Sequence, residues 1–125
     1  MTLLEVKNVL QAKLLTANVD LSNNVLSVCA SDLMSDVLAF HANNTLLLTG
    51  LINQQTLRTV EIADVTGIVV VRGKQPDPLV INDANLKKIP LMTTQLCMYD
   101  ACGLLYINGL RGVTEQVKSF HRKND

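Results

Sequence analysis

Tryptophan is absent, and phenylalanine and tyrosine occur twice each, so aromatics make up only 3% of the 125 residues. Readers of single-stranded nucleic acid stack bases on aromatic side chains, and this chain has few to offer. Lys and Arg number 11, as do Asp and Glu, which leaves a formal net charge of zero. The clustered positive field that gives nucleic-acid binding much of its affinity is therefore also missing. No apolar run approaches the roughly 18 residues of a membrane span. The opening Met1-Thr2-Leu3-Leu4-Glu5 has neither a basic stretch nor a long apolar one. No secretory signal is expected, and the chain reads as cytoplasmic.

Cys29, Cys97 and Cys102 follow no disulfide pattern, and the reading is of buried small hydrophobes in a reducing compartment. They are also short of the roughly four thiolates that normally hold an iron–sulfur cluster. His41 and His121 have no cysteine or carboxylate partner in sequence, so metal ligation is not indicated. No Walker sequence, G-x-G-x-x-G or Ser-His-Asp order is recognisable. These absences together point away from an enzyme.

What is present is aliphatic. The chain is 48% hydrophobic and 18% charged, as suits one compact domain whose core is built from Leu, Val, Ile, Ala and Met. Its central feature is a repeat: Leu46-Leu47-Leu48-Thr49-Gly50 is answered 23 residues later by Val69-Val70-Val71-Arg72-Gly73. Each apolar run ends in glycine and leads into a polar turn and a helix-like stretch, and Pro90-Leu91-Met92-Thr93-Thr94 falls where a third strand belongs. The pattern predicts an α/β fold, a mainly parallel sheet with crossover helices on both faces. Parallel sheets bind ligands outside the carboxyl ends of their strands.

Flanking signals fill in the rest. Thr2 and Glu5 have capping-box spacing for a helix over about 3–11. Residues 13–15 suit a short strand, and 25–30 another. Ser31 and Asp32 are then placed to cap a helix running to about residue 42, with Leu33, Val37 and Phe40 lining one face and Met34 and Leu38 beside them. Asn53 caps the next helix, to about Ala63. Asp77-Pro78 opens a third, ending near Lys87-Lys88. A last helix over about 99–108 stops at Gly109, and Tyr99, Cys102 and Tyr106 share one face of it as packing residues. Val117 and Phe120 offer one further turn in an otherwise polar end.

The strand-end rim is the candidate site. Arg72 and Lys74 bring positive charge beside Gly50 and Gly73, and Thr93 and Thr94 complete a cradle for a phosphate or carboxylate. Asp36 lies one turn beyond Asp32, which would put two carboxylates on the rim; solvated helix residues account for the pair more simply than acid–base chemistry.

The run Ser31–Phe40, Leu47-Leu48-Thr49-Gly50-Leu51, Ile68–Pro76 and Ala101–Tyr106 together resemble the DRTGG domain, in its short stand-alone, hydrogenase-associated members. The resemblance covers about residues 3–110. It implies a fold similar to the amino-terminal domain of HPr kinase/phosphorylase, and a regulatory or self-associating role with no reaction of its own. The family's Asp-Arg pair falls on Asn53-Gln54 and its Thr-Gly-Gly on Val71-Arg72-Gly73. It also implies an alternative: an accessory of an iron hydrogenase or electron-transfer complex, with hydrogenase subunits as partners and an iron–sulfur cluster on Cys29, Cys97 and Cys102.

The expectation is one domain over residues 1–112 followed by a polar tail over 113–125. It is a non-catalytic, dimeric module without metal or cofactor. It binds a small anion or nucleotide through Ser31, Asp32, Thr49, Gly50, Arg72, Gly73, Thr93 and Thr94.

Overall fold

The structure is a computed structural model and describes residues 1–40 and 42–114. His41, His121, Val117, Phe120 and most of the predicted tail lie outside the described residues. The chain begins with helix α1 (Leu3–Val9), whose Thr2 side chain accepts from the Glu5 amide while the Glu5 carboxylate accepts from the Thr2 amide. Strand β1 (Lys13–Leu14) follows, then β2 (Ser27–Ala30), α2 (Met34–Ala39), β3 (Thr45–Thr49), α3 (Gln54–Ala63), β4 (Gly67–Val70), α4 (Pro78–Leu86), β5 (Leu91–Thr93), α5 (Met98–Ile107) and β6 (Arg111–Gly112). Asn53 and Asp77 cap α3 and α4 as their spacing predicts, with Pro78 inside the first turn of α4.

The strands form one six-stranded sheet in the order β1-β5-β4-β3-β2-β6. Among the described strands only β1 runs antiparallel, against β5; the pairs β2–β3, β3–β4, β4–β5 and β2–β6 are parallel. Side chains alternate across a strand, so each buried strand feeds two cores. Leu47, Ile68, Val70 and Leu91 pack with Met34, Val37, Leu57, Val60, Val80 and Ala84 of α2, α3 and α4. Leu46, Leu48, Val69, Val71 and Met92 pack on the other side with Leu3 and Val6 of α1 and Ala101 and Leu105 of α5. The sheet is therefore covered on both faces. From β2 to β5 the chain moves always to the next strand in one direction, and right-handed crossovers then place α2, α3 and α4 on one side. The return from β5 to β6 reverses direction, and α5 takes the opposite side.

Two local expectations differ from the structure. The cap of α2 is Leu33, with no side-chain cap bond. Asp32 is drawn away from that duty because its Oδ1 accepts from the Gly50 amide at 2.6 Å and from the Thr49 hydroxyl at 3.1 Å. The later start rotates the helix, so Met34 and Val37 are buried while Leu33 and Phe40 are more than half exposed. The two glycine-ended runs are offset in register, with Leu48 paired to Val69. Gly50 and Gly73 still share the carboxyl-end border, but Gly73 lies two residues farther out along its strand than Gly50 does.

Candidate functional site

Two clefts open at opposite ends of the sheet. The larger, about 690 Å³, lies beneath the amino ends of β3, β4 and β5. Much of its lining is engaged in holding turns. The Asn24 side chain accepts from the amino terminus, the Asn44 side chain donates to the Asn24 carbonyl, and Lys87 is paired with Glu61 at 2.8 Å. Asn18, Asn44, Asp64 and Lys88 hold left-handed turns there. Size alone recommends this cleft.

The smaller, about 500 Å³, lies at the strands' carboxyl ends and is lined by Ala30, Ser31, Asp32, Gly50, Val71, Arg72, Cys97, Met98 and Tyr99. It carries charged groups that the fold positions but does not neutralise, and we take it as the candidate site.

Its floor is Gly50. A Cβ at this position would stand 2.8 Å from Arg72 Nη2 and 3.4 Å from Asp32 Oδ2, so the missing side chain leaves the space between guanidinium and carboxylate open. Asp32 is clamped through Oδ1, as above, and its Oδ2 has no hydrogen-bond partner among the described residues. Arg72 has a left-handed backbone, φ 67°, which costs a non-glycine residue roughly 1 kcal/mol or more. Two loop hydrogen bonds hold it there: the Arg72 amide donates to the Leu96 carbonyl at 2.8 Å and the Gly73 amide to the Thr94 carbonyl at 2.7 Å. The Arg72 guanidinium has neither hydrogen bond nor ion pair among the described residues.

These two loops leave the sheet for opposite faces. The β4 loop leads to α4 and the β5 loop to α5, so the crevice forms where the connection reverses. The first turn of α5 closes one wall. Its cap, Cys97, makes no side-chain bond, and the amides of residues 98–100 have no acceptor among the described residues. Amides in this position favour a negatively charged group.

The expected site residues divide. Ser31, Asp32, Gly50 and Arg72 come together in the cleft, with Thr49 beneath Asp32. Gly73, also left-handed at φ 65°, lies against Gln95 in the adjoining loop. The hydroxyls of the other two point elsewhere: Thr93 donates to the Lys74 carbonyl and Thr94 to the Leu10 carbonyl. Lys74 spends its ammonium on the Gly50 carbonyl at 2.9 Å, which leaves Arg72 as the unengaged cation. Sequence reasoning overlooked Cys97, Met98 and Tyr99. The rule that singled out the glycine turns applies equally to the loop after β5, and that was the available signal.

The cysteines do not assemble. Cys29 packs in the core on the α2–α4 side and Cys102 against the core on the α1–α5 side. Cys97 is exposed, contrary to the expectation that all three are buried, as are Tyr99 and Tyr106. Among the described residues no group of three or more His, Cys, Asp or Glu is placed to hold a metal ion. Burial raises the pKa of the Cys29 thiol, with the Asp36 charge adding to it, and burial raises that of Cys102. Only the thiolate is nucleophilic, so iodoacetamide at neutral pH should alkylate Cys97 first. Peptide mass mapping over time checks this, and faster labelling of Cys29 would contradict the geometry.

Asp36 sits in α2 where its charge acts on Cys29, while Asp32 faces Gly50. No helix among the described residues is long and apolar enough to cross a membrane.

No protein-family model matches the sequence, and no curated protein matches it. Among solved structures, the chain is similar to the CBS and DRTGG domains of the regulatory region of Clostridium perfringens pyrophosphatase, crystallised with its activator, diadenosine tetraphosphate. The TM-score is 0.67 at 17% identity, covering 82% of this chain and 45% of that one. The fold is DRTGG-related. The chain spans less than half the length of this structural relative.

Proposed function

We propose that this chain is a non-catalytic regulatory module that senses a small phosphorylated ligand at the carboxyl-end cleft. The observation that carries the reading is Arg72: a cation with no partner among the described residues, lying over a bare glycine floor and carried on a backbone conformation that is costly for arginine. Strained, unpaired groups of this kind concentrate at functional sites. The free amides at the start of α5 add a second attraction for an anion. The pyrophosphatase regulatory region, part of which shares this fold, is complexed with a nucleotide activator, which supports a phosphorylated ligand here. The module acts as a homodimer in this reading. Leu79 and Leu86, seven residues apart on α4, are 73% and 75% exposed and are apolar points that a second copy would cover.

Calorimetric titration with pyrophosphate, AMP, ATP and diadenosine tetraphosphate tests the proposal. At least one should bind with a dissociation constant below about 1 mM, equivalent to roughly 4 kcal/mol, and binding should weaken as salt is raised. Sedimentation in the same buffers reads the dimer. Silence across the panel at low salt would remove the ligand half of the reading.

A further inference from the structure

Asp32 is a poor choice for a site meant to hold a bare anion. A phosphate settling beside Arg72 on the Gly50 floor meets a carboxylate oxygen on the opposite side. Unlike charges held this near would ordinarily pair, yet no ion pair joins Asp32 and Arg72. Each is fixed from behind instead. Asp32 is clamped through Oδ1 to the Thr49 hydroxyl and the Gly50 amide. The Arg72 backbone is anchored through its own amide to Leu96, and its guanidinium makes no bond among the described residues. The clamp leaves Oδ2 over the floor as an acceptor, facing a donor across a gap that a Cβ at Gly50 would fill.

The geometry points to a ribonucleotide as the ligand class, with Asp32 as the residue that selects it. This rests on the phosphorylated-ligand reading above and adds to it the identity of the group beside the phosphate. The cleft asks for a ligand with hydrogen-bond donors at one point and anionic oxygens a short distance away. A ribose diol donates to Asp32 Oδ2, while the phosphate accepts from Arg72 and from the first amides of α5. Inorganic pyrophosphate carries the second group without the first and is repelled by Asp32. The ring of Tyr99, 87% exposed at the cleft wall, offers a base a surface to stack on. A volume of about 500 Å³ suits a nucleotide-sized ligand.

The test compares AMP, 2′,3′-dideoxy-AMP and pyrophosphate on the wild-type chain and on Asp32→Asn by titration calorimetry. Asn keeps an oxygen for the Gly50 and Thr49 bonds but puts an N–H₂ where Oδ2 stood. Wild-type protein should bind AMP about tenfold more tightly than dideoxy-AMP, the size of one hydrogen bond to a charged group. In Asp32→Asn that preference should shrink below about threefold, while pyrophosphate binding strengthens because a donor has replaced a charged acceptor. Equal affinities of wild-type protein for AMP and dideoxy-AMP overturn the assignment and leave the phosphate reading standing. So does a uniform loss for all three ligands in Asp32→Asn, which marks a structural role. If none of the three binds wild-type protein, the phosphate reading falls and this one with it. The wild-type comparison needs no variant, so a folding defect in Asp32→Asn cannot mask the answer.

Discussion

Replacing Leu47 with alanine should lower the unfolding free energy by about 3–4 kcal/mol, the range for a large aliphatic truncated in a closed core. Leu47 is fully buried at the centre of β3 and belongs to the core formed with Met34, Val37, Leu57 and Ile68. Parallel pairing to β2 through Cys29 and to β4 through Ile68 holds its backbone on both sides. The cavity left by truncation therefore cannot close by a strand shift, and both the transfer and the void costs are incurred. In urea, where the slope for a small domain is about 1–3 kcal/mol per molar, the midpoint should fall by more than about 1 M. Leu4→Ala, on the half-exposed side of α1, serves as the comparison and should change stability by roughly 0.5 kcal/mol or less. Similar midpoints for the two variants would mean that β3 is not the central strand of a sheet covered on both sides.

Arg72 should show opposite effects on binding and stability. Arg72→Ala removes the charge-assisted contact to the ligand phosphate, and affinity should drop about tenfold or more. Arg72→Lys keeps the charge but loses the planar fork, and should fall between wild type and alanine. Arg72→Gly is the most telling. It should weaken binding to the same degree as alanine and yet raise stability by roughly 0.5–1 kcal/mol. Glycine occupies the left-handed region without the Cβ penalty of about 1–2 kcal/mol, offset in part by its larger entropy in the unfolded chain. Thermal or urea unfolding beside calorimetry separates the two effects. A destabilised Arg72→Gly with normal ligand affinity would indicate that the side chain props the loop and leaves the ligand untouched. Gain of stability with loss of binding would show that the loop geometry is maintained at a cost for the sake of the guanidinium.

Strands β1 to β5 and most helix starts were legible because their signals are local, whereas β6, two residues paired with β2, was not anticipated. A run such as Leu46-Leu47-Leu48 makes sense only in a strand buried on both faces. Asn53 and Asp77 announce α3 and α4 because the capping bond spans two or three residues. The start of α2 was misplaced for a reason no window around Ser31 contains: the partner of Asp32 is the end of β3, 18 residues away in sequence. The same holds for Thr94, whose hydroxyl bonds the Leu10 carbonyl 84 residues away in sequence, and for Lys74, tied to the Gly50 carbonyl. Each looked available to a ligand until the fold supplied its partner. The register offset between the two glycine-ended runs is equally invisible, since pairing is set by how far α3 and its left-handed cap at Asp64 carry the chain before β4 begins.

The amino-acid sequence by itself determined that this is an aliphatic α/β domain with mainly parallel strands, and it pointed to their carboxyl ends as the place to look for recognition. Apolar periodicity, caps and turn glycines are short-range properties, and the placement of loops in a parallel sheet follows from chain direction. Only the tertiary structure decided which groups at that border remain unengaged. It brought α5 back over the sheet, so that Cys97, Met98 and Tyr99 became a wall of the cleft, and it turned Thr93, Thr94 and Lys74 to backbone carbonyls. It left Asp32 and Arg72 facing each other above Gly50. A polar side chain's availability depends on whether a partner lies within about 3 Å, and that partner is set by the packing of distant segments.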